Sequence, residues 1–203
     1  GSNLAVGYNA LAANTTGGHN LAIGTGVLQH CVDGAANIGI GSGALDDWDA
    51  GTTVDGSVHN LMIGVDAGGG AWDNAATSNY NVGIGNYVMD AAMDGATYNV
   101  AFGYSALSAL TTGDNNISIG AGSLEVLATG NHNVCIGHQS GVALDGESHN
   151  TAIGTNALGG SSAVDQTVIV GSQAGMGAMT AAADGTVAVG YASLAALTSG
   201  AGN

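Results

Sequence analysis

A five-residue pattern recurs eleven times along this 203-residue chain: asparagine or threonine, a residue that is apolar in all copies but one, usually a small one, an apolar residue, then glycine. Asn20-Leu21-Ala22-Ile23-Gly24 returns as Asn116-Ile117-Ser118-Ile119-Gly120 and as Asn150-Thr151-Ala152-Ile153-Gly154. The closing glycines are Gly7, Gly24, Gly41, Gly64, Gly85, Gly103, Gly120, Gly137, Gly154, Gly171 and Gly190, spaced by 17, 17, 23, 21, 18, 17, 17, 17, 17 and 19 residues. A short, nearly fixed period means that each repeat is one coil, able to bury its apolar face only by stacking on its neighbours. The reading is an all-β parallel solenoid, a β-roll of about eleven coils. It forms one repeat domain over 1–203, with coils opening at Asn3, Asn20, Asn37, Asn60, Asn81, Asn99, Asn116, Asn133, Asn150, Thr167 and Thr186. Stacked coils make long surfaces more readily than closed pockets, so an enzyme is not expected.

At almost every coil the second and fourth positions are apolar and mostly β-branched, which predicts a short, half-buried strand. The residue between them is small in most coils (Ala5, Ala22, Gly39, Gly83, Ala101, Ser118, Ala152, Ala188), with Met62, Cys135 and Ile169 as exceptions. Small residues on that face predict a close approach, either at a sharp bend after the strand or against a neighbouring chain. A second apolar pair follows the glycine, as in Val27-Leu28, Ala106-Leu107 and Ala157-Leu158, and reads as a second strand or near-strand. With three or four aliphatic side chains per coil the core is thin, so further burial between chains is expected. The asparagines that open nine consecutive coils read as a stacked amide ladder along Asn20, Asn37, Asn60, Asn81, Asn99, Asn116, Asn133 and Asn150.

Composition excludes several partners. There is no lysine, arginine or proline, and the 15 acidic residues give a formal charge of −15. A chain without fixed cations cannot neutralise phosphates, which rules against nucleic acid and against adhesion to an anionic membrane surface. No apolar run is long enough to span a bilayer. An acidic surface that stays soluble by self-repulsion, and that offers trypsin-like proteases no site, suits an extracellular, cell-surface or virion location.

The string Asn-x-Ala-Ile-Gly-x-x-Ala-Leu, at 20–28 with Val27 in the alanine place and at 150–158, resembles the head repeats of trimeric autotransporter adhesins (YadA-like). It is closer still to the Asn-Thr-Ala-Ile-Gly arrays of phage tail fibres. The resemblance covers essentially the whole chain. It implies a left-handed parallel β-roll, a homotrimer, and a role in adhesion or host recognition. The chain departs from the adhesin heads in its longer period and its complete lack of Lys and Arg. Neither end carries a capping coil, so the reading is of a piece of a longer fibre, with head-to-tail stacking of subunits into a structural filament as the alternative. An ice-binding solenoid ranks third, because regular Thr-x-Thr rows are lacking.

The two longest coils are adjacent and carry inserted surface loops at 46–58 and 68–80, which contain both tryptophans. Insertions in successive coils tend to emerge on one face, often the binding face. Trp48 and Trp72, with Asp46, Asp47, Asp49 and Asp73, form the candidate ligand site: an indole to stack on a sugar ring and carboxylates to hold its hydroxyls or a Ca²⁺ ion. The competing reading is that the indoles fold over an apolar edge of the solenoid. His19, His59, His132 and His149 sit directly before the asparagine column, where Tyr80 and Tyr98 stand in other coils, and read as a surface or interface ladder; His30 and His138 fit no cluster. Cys31 and Cys135 are six coils apart, roughly 29 Å, too far for a bridge, and read as buried thiols. No catalytic constellation, dedicated metal site or cofactor motif is apparent.

Overall fold

A computed structural model describes residues 1–46, 56–72 and 76–200. Eleven three-residue strands form one sheet: β1 (Leu4–Val6), β2 (Leu21–Ile23), β3 (Ile38–Ile40), β4 (Leu61–Ile63), β5 (Val82–Ile84), β6 (Val100–Phe102), β7 (Ile117–Ile119), β8 (Val134–Ile136), β9 (Thr151–Ile153), β10 (Val168–Val170) and β11 (Val187–Val189). They pair parallel and in chain order, each with the next, so the chain is a β-solenoid of about ten turns. The register matches equivalent repeat positions throughout, from Leu4 opposite Leu21 to Val168 opposite Val187. The longer coils do not disturb it: Ile38 still faces Leu61, and Leu61 faces Val82. At the parallel-strand spacing of about 4.8 Å the sheet is roughly 50 Å long.

The amide ladder runs up the stack as expected. Each asparagine from Asn20 to Asn150 donates its backbone N–H to the side-chain Oδ1 of the asparagine one coil earlier, at 2.9–3.0 Å. From Asn60 to Asn133 the side-chain Nδ2 donates to the same oxygen, and the Nδ2 groups also reach backbone carbonyls of the adjoining turn, as from Asn116 to Gly130 at 2.8 Å. Thr167 continues the column by donating both its amide and its hydroxyl to Asn150 Oδ1. These groups are buried, and a buried amide left unpaired costs about 1–3 kcal/mol.

A second polar ladder, not anticipated from the repeat, lies two residues before the first. Thr97 N–H donates to Asp114 Oδ1, Asp114 N–H to Asn131 Oδ1, Asn131 N–H to Ser148 Oγ, Ser148 N–H to Asp165 Oδ1, and Asp165 N–H to Asp184 Oδ1. Its trace in the sequence is a polar residue at that place in every coil from Asn79 onward.

The strand alternation is present, with the small residue inside. Ala22, Met62, Ala101, Ser118, Cys135, Ala152 and Ile169 are fully buried, while the flanking aliphatics face outward and are half-buried or exposed. What approaches the small residues closely is the second segment of the preceding coil and of their own: a methyl added at Gly39 would meet Val27 Cγ1 of the coil before and then the Ala44 carbonyl of the same coil.

That second segment is a turn rather than a strand. Leu28, Leu45, Met89, Leu107, Leu124 and Leu158 all have φ between 47° and 55°. The left-handed conformation costs a bulky residue roughly 1–2 kcal/mol. It is held by hydrogen bonds from each of these amides to the next coil, such as Leu28 N–H to the Ala44 carbonyl and Leu107 N–H to the Ser123 carbonyl. In return each side chain is completely buried, worth about 1.5–3 kcal/mol. Cys31, Leu110, Leu127 and Leu144 fill the same interior from the turn's far end. The coil-closing glycines are required sterically: Gly103 has φ +143°, and a Cβ there would lie 2.5 Å from the Gly120 carbonyl oxygen.

Candidate functional site

The inserted-loop site is placed only in part. Trp48, Asp47, Asp49 and Asp73 lie outside the described residues. Trp72 is 5 % exposed and belongs to the core, with its ring against Gly68, where an added methyl would sit 3.1 Å from the indole. An indole so covered has no open face for a sugar, and Trp72 packs with the core of the stack. Its neighbourhood explains this: the left-handed Gly68 (φ +60°) clears space in which the indole takes the inward place. Asp46 is half-buried and belongs to the wall of the stack. Its backbone carbonyl meets His30 Nδ1 at 2.9 Å, and its carboxylate lies 3.8 Å from the same nitrogen.

Histidines and tyrosines before the asparagine column do form ladders. His59 and Tyr80 stack at 5.1 Å, Tyr80 and Tyr98 at 4.9 Å, and His132 and His149 at 4.9 Å. All have φ near +60°, which turns their side chains to the surface while the next residue enters the buried ladder. One coil spacing is also the spacing at which flat rings attract, so neighbouring aromatics stack wherever the sequence supplies them.

Cys31 and Cys135 are both buried and form no disulfide. Burial pushes the Cys135 thiol up to about 12, against weaker opposing hydrogen bonds from the Ser140 side chain and the Ala152 backbone. Asp90 is also raised, first by burial and then by the charge of Asp66, with the Gly69 backbone acting the other way. Among the described residues no group of three or more His, Cys, Asp or Glu is placed to hold a metal ion. No helix among them is long and apolar enough to cross a membrane.

Two surface features emerge that the repeat reading did not single out. One is the outer face of the sheet, two columns of apolar, mostly aliphatic side chains broken only by Thr151, with Ile23, Ile84, Phe102, Ile117, Ile153, Val168 and Val189 among the exposed members. The other is a cavity of about 250 Å³ lined by Tyr104, Ser105, Ala121, Gly122, Glu125, His138 and Gln139. It draws on the column immediately after the coil-closing glycines, to which Tyr104, Ala121 and His138 belong. His138 thus joins a cluster, which its sequence context alone did not reveal.

The fold therefore defines the class: a parallel β-solenoid built of repeats. Comparison with protein-family models, with curated proteins and with solved structures returned no match to the chain.

Proposed function

We propose that this chain is a non-enzymatic segment of an extracellular or virion fibre that assembles with copies of itself, three around a common axis, and presents its turns for host or glycan recognition. The observation that carries the reading is the outer face of the sheet. Its two aliphatic columns contain no charged residue in any coil, although the chain carries −15 elsewhere. The strip measures roughly 50 by 10 Å, about 500 Å², interrupted only by Thr151, which is at the upper end of apolar patches on monomeric proteins and marks a contact surface. A second copy offers the same 4.8 Å periodicity, so side chains of one stack can seat between those of another along the whole length. The resemblance to adhesin heads and tail fibres points the same way and supplies the number three.

Light scattering on the purified chain tests this. The expected mass is three times the 19.4 kDa of one chain, and Ile119→Asp with Ile153→Asp, charges on the outer face, should return it to that of one chain while the stack stays folded. Filaments whose length grows with concentration would replace the trimer with a head-to-tail structural polymer. A monomeric wild-type chain would end both.

A further inference from the structure

We propose that the cleft between Tyr104 and His138 is a slot for one neutral pyranose ring of a glycan. This deepens the recognition role proposed above and rests on it for biological meaning.

Tyr104 and His138 occupy the same column two coils apart, with exposed Ala121 in the coil between them. The backbone spacing across two coils is roughly 9.6 Å. Elsewhere on this molecule rings one coil apart stack at 4.9–5.1 Å. Ala121 therefore leaves one coil's width of space between the two aromatic residues that line the cavity. A flat guest there lies roughly 4.8 Å from each wall, inside the range at which rings stack. The cavity of about 250 Å³ is smaller than the roughly 300–1,000 Å³ of sites for drug-sized ligands, and suits a single ring.

The other lining groups select the kind of ring. Glu125 accepts hydrogen bonds, Gln139 both donates and accepts, and the Ser105 hydroxyl does the same. That is a set for a guest with hydroxyls on its edge and C–H faces toward the walls. With no Lys or Arg in the chain and a carboxylate in the lining, a uronic acid or sulfated sugar is disfavoured.

The slot is preformed. Gly122 N–H donates to the Tyr104 carbonyl at 2.9 Å and Gln139 N–H to the Ala121 carbonyl at 3.0 Å, so the three coils are tied together at the cleft. Tyr87 meets the Tyr104 ring edge-on at 5.7 Å and steadies that wall. A guest therefore has little ordering to drive.

The test is saturation-transfer NMR on the whole chain. The probes are the methyl glycosides of glucose, galactose, mannose and N-acetylglucosamine, their oligosaccharides, and methyl glucuronide. At least one neutral glycoside should receive saturation at its ring C–H protons, and oligosaccharide probes show whether a terminal or an internal residue enters. Ala121→Tyr supplies the missing ring from within and should weaken binding at least tenfold, with an unchanged circular dichroism spectrum and melting temperature; Tyr104→Ala should weaken it comparably by removing a wall. Absence of transfer to every neutral probe, equal binding by Ala121→Tyr, or preference for the glucuronide would each overturn the proposal. If Ala121→Tyr still coats glycan-bearing cells as the parent does, the slot falls and the adhesive reading stands. A monomeric mass would remove the fibre reading while leaving the slot to its own test.

Discussion

Met62 and Gly83 stand opposite each other in adjacent strands, and a methyl placed on Gly83 would lie 2.5 Å from the Met62 sulfur. Gly39 stands opposite Met62 on the other side. The one long, flexible side chain in the small-residue column is thus bracketed by the two residues that have none, and the interior volume is conserved over three coils rather than within each. Gly83→Ala should destabilise the fold by about 1–3 kcal/mol through overpacking. Met62→Ala should cost about 2–5 kcal/mol through the cavity it leaves. In the double variant the added methyl is freed of the Met62 sulfur and keeps only its contacts with Val88, Cγ1 at 3.0 Å, so the two losses should fall short of additivity by about 1 kcal/mol. Denaturant unfolding of the four proteins measures this; strict additivity would show that the coils pack independently.

The amide ladder makes each asparagine a partner to two neighbours. Asn116 Oδ1 accepts from both the amide and the side chain of Asn133, while its own Nδ2 donates to Asn99 and to the Gly130 carbonyl. Asn116→Ala strands several buried groups at once and should cost about 3 kcal/mol or more. Asn116→Thr should cost less, because a threonine hydroxyl can donate down the column as Thr167 does to Asn150. Thermal melts that rank the two variants equally would mean that water restores the lost bonds.

Asp90 supplies a pH signature. Its carboxyl is raised in the folded state, by burial and then by Asp66, so the fold holds that proton more tightly than the unfolded chain does. The resulting penalty is fully present above the raised value, shrinks as pH falls through it, and vanishes below the ordinary value of 3.8. Asp90→Asn removes the charge and keeps an oxygen to accept from the Gly69 backbone. The variant should therefore melt higher than the parent at neutral pH, and its advantage should disappear at about pH 3. A constant difference across that range would assign the effect to packing.

Cys135, with its thiol pushed up to about 12 and no exposed surface, should resist alkylation in the native protein at pH 8. Cys31 is equally enclosed. Iodoacetamide followed by mass spectrometry should find neither modified until denaturant opens the stack, and both modified afterwards. Rapid labelling of Cys135 in native conditions would reveal local opening between β8 and β9.

The repeat legibly encodes the stack. A fixed period with β-branched alternation sets the first strand of each coil in one register, and Asn or Thr at the head of every coil places equivalent polar groups within hydrogen-bond reach of each other; that the second apolar pair is a turn and not a strand came only from the structure. The stacking of His132 on His149 followed from the same reasoning, as did the separation of Cys31 from Cys135. The cleft did not, because Tyr104 and His138 carry no shared motif; they line one cavity only because the small Ala121 stands in the coil between them. The placing of Trp72 was open for a related reason: beside carboxylates in a long coil it reads either as a surface ring or as a cover for an apolar edge, and only the packing beside Gly68 shows it buried.

What the sequence determined by itself is the period, the parallel register and the polar columns, since each depends only on like residues recurring at like intervals. What the tertiary structure decided is the direction of the alternation. Period two says that the faces of a strand differ, and here both faces are apolar, one small and one large. The choice falls to volume: left-handed Leu28, Leu45, Met89, Leu107, Leu124 and Leu158 fill the narrow interior from the turn side and leave room there for little more than a methyl. The isoleucines and valines are turned outward by that limit, onto the face through which the molecule is proposed to find its copies.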